Sequence, residues 1–164
     1  MKKPLPLFVS ILLLLSGCAT PNPRVATTPN RAARLLGNLP ADPLQWQVVT
    51  AQINSRQSTM STLFGNDRAV AYARTHADDN FPGGSVLSLV TWNQQEDARW
   101  FGARIPSAPR SVEFLSVRSS AEGKPFYSYQ LYQGTPLSLA TSQESQQAQG
   151  RVSDILSMRA AVMP

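Results

Sequence analysis

Hydrophobic and polar positions follow a period of two through most of the chain between Leu44 and Gln133. LQWQVVTAQI (44–53) sets Leu44, Trp46 and Val48 against Gln45 and Gln47, which predicts a half-buried strand. QSTMSTLFG (57–65) is β-branched and apolar and stops at a glycine, a second strand. RAVAYARTHA (68–77) breaks the period. Val70, Ala73 and Ala77 fall at helical spacing, and Asn66 or Asp67 ahead of them is suited to an N-cap. DDNFPGG (78–84) is dense turn sequence. SVLSLVTWN (85–93) is apolar on both parities, which predicts a central strand covered on both faces. RWFGARI (99–105), RSVEFLSV (110–117) and PFYSYQLYQ (125–133) read as three more strands, separated by QQED, PSAP and SSAEGK. Loops this short join antiparallel neighbours.

The tail returns to a helical period. Thr141 and Glu144 have capping-box spacing, and Val152, Ile155, Leu156, Met158 and Val162 mark one apolar face. A C-terminal helix over about 143–161 is expected, with Gly150 weakening its first half. The fold class is therefore α+β: an antiparallel sheet of about six strands, a short inserted helix and a C-terminal helix.

The first residues have a different layout. Lys2 and Lys3 precede an apolar stretch from Leu5 to Leu15, too short to span a bilayer and ending in Ser16, Gly17 and Cys18. Leu15-Ser16-Gly17-Cys18 resembles the bacterial lipobox. That resemblance implies cleavage before Cys18, diacylglycerol on its sulfur and an acyl chain on the new amino group. Ala19 after the cysteine implies sorting to the outer membrane, facing the periplasm. Three domains of sequence follow: a lipoprotein signal peptide (1–17), a lipidated cysteine and flexible tether (18–41), and a periplasmic domain (42–164). Within the tether, Arg31 to Leu39 has room for one or two helical turns.

Loss of Lys2 and Lys3 with the signal lowers the net charge from +5 to +3. The arginines are scattered singly, which argues against a nucleic-acid partner. Cys18 is the only cysteine and His76 the only histidine, so schemes needing two histidines or a cysteine pair are excluded. There is no nucleophile elbow, no phosphate-cradling glycine loop and no calcium-loop spacing.

Three stretches, LQWQVVT, STLFGNDRAVAYA and NFPGGSVLSLVTW, together resemble the cytochrome P-460 family over roughly residues 44–118. The resemblance implies a homodimer and, in members with known chemistry, a c-type haem. That haem is bound through Cys-x-x-Cys-His, cross-linked to a lysine, and used to oxidise hydroxylamine; relatives bind nitric oxide. This chain has no Cys-x-x-Cys-His, and its C-terminal SDILSMRAAVMP holds neither cysteine nor histidine. The only lysine beyond the signal, Lys124, falls in a predicted turn. The expectation is a non-catalytic module without covalent haem that binds a small ligand or an envelope partner. The alternatives are a non-covalent haem protein in hydroxylamine or nitric oxide redox chemistry, and a structural envelope lipoprotein.

Few residues suggest a site. His76 is the one imidazole available to a haem iron, or else a surface histidine at a helix end. Trp92, Trp100 and Phe101, with Arg99 and Arg104, fall in two adjacent predicted strands. They form either ordinary core with snorkelling arginines or an aromatic pocket with a cationic end. Arg104 and Glu113 are placed for a cross-strand pair. No metal ligands are assigned.

Overall fold

The structure is a computed structural model that describes residues 28–120, 124–141 and 148–161. The signal segment, Cys18 and residues 142–144 of the predicted capping box lie outside them. Six strands form one sheet in chain order: β1 (Gln47–Asn54), β2 (Thr59–Gly65), β3 (Val86–Glu96), β4 (Arg104–Ser119), β5 (Pro125–Gln133) and β6 (Ser138–Leu139). All neighbours are antiparallel. Helix α1 (Asp67–Thr75) is inserted between β2 and β3, and α2 (Ala148–Ser157) follows β6. This is the expected α+β architecture.

β3 is covered on both faces, as its sequence implies. Leu87 and Leu89 join Leu63, Leu115 and Val117 under Ala69 and Val70 of α1 and Ile155 and Leu156 of α2. Val90 and Trp92 point the other way, with Phe64, Val112, Phe114 and Tyr132. Among the described residues, no helix covers that second face. It is closed by Leu137 and by the chain ahead of β1, through Ala33, Leu35, Leu39, Ala41 and Trp46. The Trp92 indole N–H donates to the Ala33 carbonyl at 2.9 Å, and the Leu137 N–H donates to the Leu36 carbonyl at 2.7 Å. The folded unit thus begins about ten residues before Asp42, the start expected from sequence. Ala33, Leu35, Leu39 and Ala41 share one parity, so this segment lies extended on the sheet after a single 3-10 turn, Arg31–Ala33.

Residues 99–103 are not in a strand; only Arg104 and Ile105 of the expected fourth strand are. β3 runs on through QQE to Glu96, Asp97–Ala103 is the hairpin turn, and β4 begins at Arg104. β4 also takes in PSAP. Pro106 and Pro109 are tolerated because β5 pairs with β4 only from Ser111 onward, and because the β3–β4 register is irregular beside them. The C-terminal helix ends at Ser157. The chain then returns to β1, where the Ala161 N–H donates to the Val49 carbonyl at 2.9 Å.

The junction of β2, α1 and β3 is set by Gly65-Asn66. Gly65 does not adopt a positive φ. A Cβ there would sit 3.1 Å from Ala69 Cβ and 3.2 Å from Val70 Cγ2, so glycine lets α1 lie directly on the strand. Asn66 Oδ1 accepts from the Ala69 N–H at 3.0 Å and the Val86 N–H at 3.2 Å, and Nδ2 donates to the Gly84 carbonyl at 2.9 Å. One side chain caps the helix and fastens the Phe81–Ser85 turn, where Gly84 (φ +90°) supplies the reversal. Asn66→Ala should lower unfolding free energy by about 1–3 kcal/mol in chemical denaturation, more than loss of an isolated cap.

Candidate functional site

The residues singled out from sequence do not come together. Trp92 is buried on the second face at mid-sheet, its N–H satisfied by Ala33. Trp100 and Phe101 lie in the β3–β4 turn, where they are 48% and 110% exposed. Arg104 pairs with Glu96 across the same hairpin at 3.5 Å. It cannot form the expected cross-strand pair with Glu113, because both lie on β4.

His76 is the C-cap of α1 and is exposed. Its ring stacks on Tyr72 with centroids 4.1 Å apart and planes 4° from parallel. Its Nδ1 lies 2.8 Å from Thr75 Oγ1. The Tyr72 hydroxyl donates to the Asp78 carboxylate, and the ring also packs on Phe81 at 5.1 Å. This bond pushes the Tyr72 hydroxyl up to about 12. It also holds the Asp78 carboxyl below its ordinary 3.8, with the Asn80 N–H as the next cause.

Beside this stack a groove of about 1120 Å³ opens between the start of β1, the end of α1 and residues 159–161. Val49, Ala73 and Ala160 form an apolar floor, while Arg74, His76 and Arg159 stand along it. The sequence reading did not find this groove. Its only linear trace is a pair of single arginines at distant positions.

Glu113 was also missed in this role. It is 4% exposed on an otherwise apolar strand face, and its carboxylate is fully occupied. Arg151 of α2 donates to it through Nε at 2.9 Å and Nη2 at 2.6 Å, and the Tyr129 hydroxyl donates at 2.7 Å. Burial first, and then this hydrogen bond, drives the Tyr129 hydroxyl well above the usual phenol range. The Glu113 bond raises the already high Arg151 further. With every oxygen engaged, this charge clamps α2 to the sheet and offers no open acid or base. A lone carboxylate in RSVEFLSV was the signal for such a buried pair.

A family model for cytochrome P-460 matches residues 40–151, more than half of the chain. The chain belongs to the cytochrome P-460 family. The match spans the whole sheet and α1, including the Gly65-Asn66 junction and the Phe81–Ser85 turn that carried the resemblance. Among curated proteins, none matches the chain.

The donor set of this cytochrome P-460 domain does not fit a covalently attached haem. Its one cysteine, Cys18, precedes the matched region, and Lys124 sits in the β4–β5 connection, where its N–H donates to Ser120 Oγ at 3.1 Å. The remaining donor is the His76 imidazole, with one face on Tyr72 and Nδ1 against Thr75.

The depressed Asp78 gives a pH signature to the end of α1. Its contribution to stability is complete above about pH 4 and is lost as the pH falls through the lower folded-state value. Unfolding temperature measured between about pH 4 and pH 2 should therefore fall less steeply for Asp78→Asn than for the unmodified protein.

Proposed function

We propose that this chain is a lipid-anchored outer-membrane protein facing the periplasm, in which the cytochrome P-460 fold serves as a binding module for a small apolar anion and not as a haem enzyme. The donor set carries the reading. The one sulfur able to form a thioether lies in a lipid-attachment sequence, and the one imidazole is stacked at an exposed helix end. Acyl chains on Cys18 give effectively permanent attachment, since each buried methylene contributes about 0.8 kcal/mol.

The groove supports the ligand class. An apolar floor of Val49, Ala73 and Ala160 suits a hydrocarbon or ring, and Arg74 and Arg159 suit a negative group at its edge.

The test uses 1-anilinonaphthalene-8-sulfonate, a planar apolar anion. The purified protein should enhance its fluorescence saturably, and Arg74→Glu with Arg159→Glu should weaken binding at least about tenfold, equivalent to about 1.4 kcal/mol. Equal binding by the double variant contradicts the groove. Haem is the competing titrant: a Soret band that His76→Ala abolishes would replace the binding module by a haem protein.

A further inference from the structure

We propose that the β3–β4 hairpin tip, through Trp100 and Phe101, docks into the interfacial layer of the membrane that holds Cys18. This inference rests on the lipid-anchored reading above. β3 and β4 outrun their neighbours: β2 pairs with β3 only as far as Asn93, and β5 pairs with β4 only from Ser111. Gln94 is still tied to Ser58 and Thr59, at 2.9 Å and 2.8 Å, so Gln95–Glu96 and Arg104–Ile105 with the turn between them project beyond the rest of the sheet as a short arm.

Its tip is a built turn. The Asp97 carboxylate accepts from the Arg99 N–H at 2.9 Å, from Nε at 3.0 Å and from Nη2 at 3.1 Å. The Trp100 N–H donates to the Asp97 carbonyl at 3.2 Å, the Ala103 N–H to the Trp100 carbonyl at 3.0 Å, and Gly102 takes φ +76°. The turn thus presents two adjacent aromatic side chains, Trp100 half-exposed and Phe101 fully exposed. Large rings with a polar handle nearby are what the headgroup layer accepts.

The chain outside the structure leaves from the same end. Asn30 Nδ2 donates to the Pro106 carbonyl at 2.6 Å, at the root of the arm. Eleven residues separate Asn30 from Cys18, a reach of at most about 40 Å, so this is the end tethered to the bilayer. Charge agrees: Arg31, Arg34, Arg99 and Arg104 outnumber Glu96 and Asp97 here, which suits anionic headgroups. The geometry also orients the ligand groove. It is lined by Gln47 and Val48 at the opposite end of the sheet, roughly 30 Å along β3 from the turn, and so opens away from the membrane.

The experiment uses the full acylated protein in vesicles of phosphatidylethanolamine and phosphatidylglycerol with brominated acyl chains, which quench tryptophan at the interface. Quenching is expected, is lost in Trp100→Phe and is reduced in Phe101→Asp. Phe101→Asp should keep the parent unfolding temperature, since that side chain stands in solvent. Absent quenching from a protein whose N-terminal peptide carries acyl mass, or quenching undiminished in Trp100→Phe, overturns the docking and leaves the anchor standing. An N-terminal peptide without acyl mass overturns the anchor and the docking together.

Discussion

Leu87 and Leu89 face one side of the sheet while Val90 and Trp92 face the other, so neither side of β3 can be left to water. The two helices meet the first demand. The second is met by an extended stretch of chain that precedes the first strand, hydrogen-bonded to the Trp92 indole and to Leu137. Trp46 and Tyr132 complete this face by edge-on contact with Phe114, at 6.1 Å and 5.7 Å. Such contacts add about 0.5–1.5 kcal/mol each beyond the area they bury.

This second cover decides where the polypeptide enters the fold. It fixes Asn30 against Pro106, next to the projecting hairpin, and sends the chain along the sheet to the start of β1. The groove with Arg74, His76 and Arg159 is at that far end, flanked by the segment that returns after α2. One constraint thus separates the end where the chain enters the fold from the end that holds the groove. The Glu113–Arg151 pair acts between them, holding α2 over the sheet. Replacing it by apolar residues could leave stability unchanged, but removing one partner would strand a charge.

Much of the fold was legible because the period of two is strong and the turns are marked. The antiparallel pairing of neighbours, an N-cap at Asn66 or Asp67 and the double burial of β3 all follow from local pattern, whereas β6 was not foreseen. The misreadings have physical causes. RWFGARI alternates like a strand, but Asp97 and Gly102 close a turn inside it, and alternation alone cannot separate a strand from a hairpin tip. Residues 31–41 were grouped with the Pro- and Thr-rich stretch before them, although Ala33, Leu35, Leu39 and Ala41 already carried an inward parity. Little of the candidate site was readable. Arg74 and Arg159 are eighty-five positions apart, and no linear pattern joins them. The aromatic and cationic residues that looked like one pocket, Trp92, Trp100 and Arg104, were divided by the same turn.

The most direct measurement of the central claim is amide and indole hydrogen exchange by nuclear magnetic resonance. If the segment ahead of β1 is a true layer of the fold, the Trp92 indole N–H and the Leu137 amide exchange slowly, on the scale of the β3 amides. Exchange of both at the rate of an open chain, with β3 still protected, would show that the second face has no such cover and would contradict the account.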